Sequence, residues 1–278
     1  MLGYRHIFHA GNHADVLKHA VLALVLEALL RKEKPFVYID THAGAGQYAL
    51  HDPRAQRTGE YAAGIARWWQ TPAASHPAMA PLMTAVAALN PSGQLRYYPG
   101  SPLIARHFLR PEDRMVLLER HPSDYPLLAE LFADMPHVRV EQADSLQRLK
   151  GFLPPQERRG VVLVDPSYEL KSDYANTVKL VTDAHRRWNT GVYLVWYPVL
   201  SRLDAQRFVE RLASAHLPRQ LCVEYLPYAE DRAGHNLMGS GMVIVNPPFR
   251  LDESLRQLIA LLTEGNPAQG RLRWTVPE

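Results

Sequence analysis

Four acids in the sequence close or closely follow short apolar runs. Asp40 ends Phe36-Val37-Tyr38-Ile39, Glu119 ends Met115-Val116-Leu117-Leu118, Asp144 follows Val138-Arg139-Val140-Glu141, and Asp165 ends Val161-Val162-Leu163-Val164. A ribose diol needs carboxylate acceptors and an adenine amino group needs an acceptor as well. A row of strand-end carboxylates therefore suits an adenosine-containing ligand, with Glu119 placed for the ribose and Asp144 for the adenine. Each acid alone would serve equally well as a helix cap, so the reading rests on the four together. After the first run comes Thr41-His42-Ala43-Gly44-Ala45-Gly46, a turn in which Gly44 and Gly46 let backbone approach a nucleotide closely. A dinucleotide fingerprint would need a third glycine and a ribose-binding acid about 20 residues on. Glu119 lies far beyond that distance, which argues against a nicotinamide enzyme.

Asp165-Pro166-Ser167-Tyr168 narrows the chemistry. It resembles the D-P-P-Y signature of S-adenosylmethionine-dependent methyltransferases that act on exocyclic amino nitrogens. An adenine amino group is a poor nucleophile, because its lone pair is delocalised into the ring. The Asp165 carboxylate and the Pro166 carbonyl can accept its hydrogens and favour a tetrahedral nitrogen, while Tyr168 can stack on an extruded base. Asn246-Pro247-Pro248-Phe249 is a second tetrapeptide of this kind. Order separates the two, since Asp165 follows the fourth strand counted from Phe36 and Asn246 follows the last, where a structural turn is the better reading.

The N-terminal segment is rich in histidine: His6, His9, His13 and His19 accompany Tyr4, Arg5 and Lys18. His9 and His13 have the i, i+4 spacing of a zinc pair, but no E-x-x-H goes with them and other ligands are scarce nearby. No metal is expected. A polar segment leading into a buried helix can instead close over a cofactor and touch an RNA phosphate.

These residues need a scaffold. Asn12 caps a helix with Asp15 at its third position, and apolar residues from Val16 to Leu29 repeat with helical spacing, burying one broad face. Two helical patterns, from Thr58 to about Gln70 and from Ala78 to Leu89, form an insertion. Ser101 caps a further helix with Pro102 at its first position. Strands over 192–197, 221–226 and 242–246 complete seven, alternating with helices over 174–188, 203–213 and from about Glu253. That alternation predicts an α/β fold with a mostly parallel sheet, helices on both faces, and ligands at the carboxyl ends of the strands.

The chain has 278 residues, 47% of them hydrophobic, which excludes a disordered or fibrous protein. Lys and Arg number 31 against 28 Asp and Glu, so any nucleic-acid surface must be a local patch. The single cysteine, Cys222, excludes an internal disulfide and a cysteine-built zinc site. Neither a signal peptide nor a membrane span is legible, so a cytoplasmic protein with no membrane partner is expected.

The stretches Tyr4-Arg5-His6, Phe8 to His19, Asp40 to Gly46, Gln94 to Ala105, His121 to Leu128 and the closing Trp274 to Glu278 resemble the bacterial 23S ribosomal RNA adenine-N6 methyltransferases of the J type, across essentially the whole chain. The resemblance implies a class I (Rossmann-like) methyltransferase fold with a seven-stranded, mostly parallel sheet. A methyltransferase domain over 1–48 and 99–278 would carry a helical insertion subdomain over 49–98. It further implies S-adenosyl-L-methionine as cofactor and 23S rRNA as partner; a monomer is expected. By matching positions, the cofactor contacts would be His19, His42, Gly44, Ser101, Glu119, Asp144, Ser145 and Asp165. Asp165, Pro166 and Tyr168 would form the catalytic loop, and Tyr4, His6 and Lys18 would meet the substrate. Two departures stand out: Ser167 replaces the family's second proline, and Ser145 replaces a frequent glycine. An RNA-binding assembly factor weakened by Ser167, and an amino-methyltransferase acting on DNA adenine or a protein glutamine, are the alternatives.

Overall fold

The computed structural model describes residues 3–228, 237–264 and 269–277. The strands are β1 (Val37–Asp40), β2 (Gln47–Ala49), β3 (Tyr97–Pro99), β4 (Arg114–Glu119), β5 (Val138–Gln142), β6 (Gly160–Val164), β7 (Val192–Val199), β8 (Gln220–Leu226), β9 (Gly239–Val245) and β10 (Gln269–Val276). The α-helices are α1 (His13–Leu30), α2 (Pro53–Thr58), α3 (Glu60–Ala63), α4 (Ala80–Leu89), α5 (Ser101–Phe108), α6 (Tyr125–Leu131), α7 (Ser145–Arg148), α8 (Lys171–Arg187), α9 (Arg202–Ala213) and α10 (Leu251–Thr263).

The main sheet has eight strands in the order β10-β8-β9-β7-β6-β1-β4-β5. From β5 to β7 all neighbours are parallel, β9 runs antiparallel between β7 and β8, and β10 pairs antiparallel outside β8. The α/β sheet expected from the sequence is present with one strand more than the seven counted there. β10 alternates Arg271 and Arg273 with Leu272 and Trp274, the charged pattern that protects an edge strand from further pairing. It covers the edge that β8 would otherwise expose.

The central strands are apolar on both faces, as a sheet covered on both sides requires. Tyr38, Met115, Leu117, Val161 and Leu163 point into a core shared with α1, α4, α5 and α10. Their neighbours Val37, Ile39, Val116, Leu118, Val162 and Val164 point into the core beneath α8 and α9. The first core also takes in Ile65, Met79, Leu82 and Val86, so the helical stretch between β2 and β3 shares the apolar interior of α1. Helix α1 is buried nearly all round, including Asp15, Lys18 and His19, rather than along one face.

Thr58 ends α2, and the helical pattern expected from there to about Gln70 is broken at Gly64 into α3 and a short 3-10 turn. Gly64 is the cause: the chain there lies so close to the N-terminal segment that an added Cβ would sit 2.0 Å from the Gly11 carbonyl oxygen. Ile65 N–H donates to that same oxygen at 2.8 Å.

Candidate active site

A cavity of about 850 Å³ opens at the carboxyl ends of the parallel strands, in the size range of a cofactor or drug-sized ligand. Every residue assigned to the site from the sequence lines it: Tyr4, His6, Lys18, His19, His42, Gly44, Ser101, Glu119, Asp144, Ser145, Asp165, Pro166 and Tyr168.

Glu119, at the end of β4, is held from two sides. Gly44 N–H donates to one carboxylate oxygen at 2.7 Å and His121 N–H to the other at 2.6 Å. Burial pushes its pKa up against these donors. The glycine turn is thereby tied to the carboxylate, and Gly44 has φ 63°, with Tyr48 Oη 2.3 Å from where a Cβ would lie. A side chain there would meet both left-handed strain and a clash.

Asp40 departs from the expected row of acids, because it lies behind the cavity wall, fully buried. Its carboxylate accepts from Tyr38 Oη at 2.6 Å, Ser101 Oγ at 2.7 Å and His42 N–H at 3.1 Å. Burial raises its pKa to about 6 despite those donors. Asp40 thus braces the glycine turn and α5 from within. Gly100, not Ser101, is the N-cap of α5; Ser101 is the first helical residue and Pro102 the second.

Asp144 caps α7 through Leu146 N–H at 2.9 Å, and its other oxygen pairs with Arg120 at 3.2 Å. Ser145 Oγ lies 3.4 Å from His42 Nε2. Thr41 Oγ1 spends its proton on the Leu163 carbonyl, so it accepts from His42 Nδ1 at 2.8 Å and leaves Nε2 as an acceptor. Burial lowers the His42 pKa to about 4, keeping the ring neutral. His19 is buried against Tyr98, with Nδ1 2.7 Å from the phenol oxygen, and burial holds its pKa well below the ordinary value.

Asp165 follows β6 directly. Lys18 Nζ donates to its Oδ2 at 2.6 Å and to Asp15 Oδ1 at 2.9 Å. Burial alone would lower the Lys18 pKa, but Asp15 and Asp165 outweigh it and hold the ammonium well above its usual value. His6 Nε2 meets Asp15 Oδ2 at 2.9 Å and His6 Nδ1 meets Tyr4 Oη at 2.8 Å. The N-terminal segment is therefore linked to the Asp165 loop through buried polar contacts.

Tyr168 adopts φ 53°, a left-handed conformation uncommon for a bulky residue and typical of constrained functional loops. The residue is 7% exposed, its ring packed against Tyr174, Trp196 and Phe208, and its hydroxyl donates to the Trp196 carbonyl at 2.6 Å. Only a small part of the ring reaches the cavity. Ser167 lines the cavity, and among the described residues neither its hydroxyl nor its N–H makes a hydrogen bond.

Sequence reasoning assigned no site role to Asp15, His121 or Trp196. Asp15 was legible only as a helix-cap residue, and Trp196 as one residue of an apolar strand, yet the Trp196 ring lies beneath Lys18 Nζ at 5.5 Å. Among the described residues no group of three or more His, Cys, Asp or Glu could hold a metal ion. His9 instead faces Glu60, and His13 lies against the Tyr228 ring.

A doubly covered sheet with a glycine turn after its first strand, a carboxylate at the end of the next and an Asp-Pro loop after the fourth defines a class I, Rossmann-like methyltransferase. The family described as "Ribosomal RNA large subunit methyltransferase D, RlmJ" matches residues 33–276. The chain is 46% identical to Ribosomal RNA large subunit methyltransferase J of Escherichia coli (strain K12), covering 100% of each. It is 44% identical to the protein of that name from Haemophilus influenzae (strain ATCC 51907 / DSM 11121 / KW20 / Rd), covering 99% of this chain and 98% of the relative. A crystal structure from Legionella pneumophila (strain Philadelphia 1) superposes with TM-score 0.85 at 32% identity, covering 96% of this chain and 98% of that one. The chain belongs to the ribosomal RNA large subunit methyltransferase J family. Among the described residues no helix is long and apolar enough to cross a membrane.

Proposed function

We propose that the protein transfers a methyl group from S-adenosyl-L-methionine to the exocyclic N6 of an adenine in 23S rRNA. The donor set fits that cofactor. Glu119, fixed by two backbone N–H groups, offers its remaining lone pairs to a ribose diol, and Asp144 and Ser145 lie next along the edge for the adenine. When bound, S-adenosyl-L-methionine supplies an electrophilic methyl group on a sulfonium.

The observation that carries the reading is Asp165 at the end of β6, facing the cavity with one carboxylate oxygen on Lys18. That pair leaves Oδ1 to accept an amino hydrogen, and the Pro166 carbonyl can accept the other. Withdrawing both hydrogens toward acceptors raises electron density on the nitrogen and favours its tetrahedral form. Placing these acceptors in advance avoids reorganisation at the moment of transfer. Tyr168 fixes the loop through its hydroxyl on the Trp196 carbonyl and lines the cavity where an extruded base would stack. Tyr4, His6 and Lys18 line the same mouth and are proposed to meet the substrate.

The relatives, named for large-subunit ribosomal RNA, support the choice of 23S rRNA over DNA or protein. The helical stretch 49–98 is proposed as an insertion subdomain that bears on the N-terminal segment. Incubation with cofactor labelled in its methyl group, with 23S rRNA, DNA and protein supplied separately, tests the reading. Label in rRNA, recovered as N6-methyladenosine, is the expected result. Label confined to DNA or protein would replace the substrate, and tight RNA binding without transfer would favour the assembly-factor alternative.

A further inference from the structure

The polar contacts behind Asp165 converge on one side chain. Asp15 is 1% exposed and accepts three hydrogen bonds from three directions: Gly11 N–H at 2.8 Å and His6 Nε2 at 2.9 Å on Oδ2, and Lys18 Nζ at 2.9 Å on Oδ1. It occupies the third position of α1, where a capping box would turn it back to the N-cap N–H. Instead Asn12 caps the helix alone through Ala14 and Asp15 N–H, and the Asn12 N–H goes to the His9 carbonyl. The Asp15 carboxylate is thus free to serve side chains that reach the cavity.

We propose that Asp15 is a positioning residue for methyl transfer: it fixes Lys18 from behind, so that Lys18 orients Asp165, and it makes that orientation depend on His6. The inference rests on the function proposed above. Lys18 has three N–H donors on a flexible stem and would sample several directions without a second fixed acceptor. With Asp15 on one side, Asp165 on the other and the Trp196 face beneath, the ammonium is held at one place. Asp165 in turn keeps Oδ2 on Lys18 and Oδ1 toward the substrate. Burial favours a neutral Asp15, but His6 and Lys18 outweigh it and keep the carboxyl ionised. A neutral amide of the same shape would hold Lys18 less firmly.

Two other readings of Asp15 make different predictions. A helix-cap or dipole role would cost stability alone. A direct role toward cofactor would weaken cofactor binding. Asp15→Asn separates them, together with Lys18→Met and the double variant. If Asp15 acts through Lys18, Asp15→Asn lowers kcat on an rRNA fragment by about 10- to 100-fold, the range for partners that support a functional group. KM for RNA and cofactor Kd by calorimetry should stay within about threefold, and in the Lys18→Met background the same substitution should add little. A parental kcat, an undiminished effect in the Lys18→Met protein, or a matching loss of cofactor affinity would each overturn the proposal.

The free protein gives a readout without turnover. The Lys18 ammonium resonance, assigned by its loss in Lys18→Met, should shift or broaden in Asp15→Asn and also in His6→Gln. Should Asp15→Asn fail to fold, His6→Gln decides, and an unmoved Lys18 resonance there refutes the linkage. If the parent protein labels no RNA, the functional reading fails, whereas the resonance experiment still judges the linkage itself.

Discussion

Two tetrapeptides of similar composition end strands at opposite edges of the sheet. Asp165-Pro166-Ser167-Tyr168 follows β6 and Asn246-Pro247-Pro248-Phe249 follows β9, and each contains a residue with positive φ, Tyr168 at 53° and Asn246 at 54°. β6 lies among parallel strands and delivers Asp165 to the cavity. β9 runs antiparallel to β7, so its end falls at the opposite edge. There the Asn246 amide donates to the Asn189 carbonyl at 2.8 Å and the Gly191 carbonyl at 2.9 Å, tying the turn to the end of α8. Phe249 is 83% exposed, against 7% for Tyr168. Strand direction, rather than motif quality, decides which tetrapeptide can do chemistry.

The largest expected effect is at the cavity end. Asp165→Ala should abolish transfer, a loss of at least about a thousandfold or ~4 kcal/mol of barrier. The fold should survive because Lys18 keeps Asp15 as partner. Activity within a few-fold of the parent would remove Asp165 from its role.

The cavity end should also show two opposed titrations, at Asp40 and His42. The folded pKa of Asp40 is raised to about 6, so its contribution to stability is present at low pH and lost as pH rises from about 4 to 6. His42 is lowered to about 4, so its contribution is present above about 6.5 and lost as pH falls toward 4. The two slopes have opposite signs over one window and largely cancel in the parent. His42→Gln should expose the Asp40 slope, about 2 kcal/mol less stability at pH 6 than at pH 4 relative to the parent. Asp40→Asn should expose the reverse, as read by urea unfolding at several pH values. Parallel pH curves for parent and both variants would contradict it.

Glu119→Ala should weaken cofactor binding by about 1.5–3 kcal/mol, through lost bonds to a charged acceptor and a glycine turn left without its anchor. Unchanged affinity in calorimetry would place the ribose elsewhere. At the other end, Asn246→Ala removes two amide bonds and a residue tolerant of positive φ, costing about 1–2 kcal/mol of stability. Its turnover, measured well below the melting temperature, should match the parent, and a selective loss of activity would break the contrast between the ends.

Ser167→Pro should have the smallest effect. Among the described residues Ser167 donates no hydrogen bond that proline would remove, so the substitution should stabilise the loop by about 0.4–1 kcal/mol where the backbone suits proline. Steady-state rates should stay within a few-fold. A drop beyond about tenfold would mean that the loop depends on a conformation proline cannot adopt.

What the sequence determined by itself was local: which runs are strands, that acids end them, that Gly44 sits in a tight turn, and that Asp165 follows the fourth strand. These follow from apolar patterning and turn chemistry, which act over a few residues. The tertiary structure decided what depends on contacts between distant segments. It turned Asp40 inward onto Ser101, buried most of the Tyr168 ring beside Trp196, ran β9 against its neighbours and added β10 at the edge. It also joined Lys18 to Asp165 across 147 positions of sequence, with Asp15 behind them. Nothing in the local pattern around Asp15 distinguishes a helix cap from an anchor for Lys18. The difference arises only where the buried face of α1 meets the end of β6, because a charge in that interior must find its partners there.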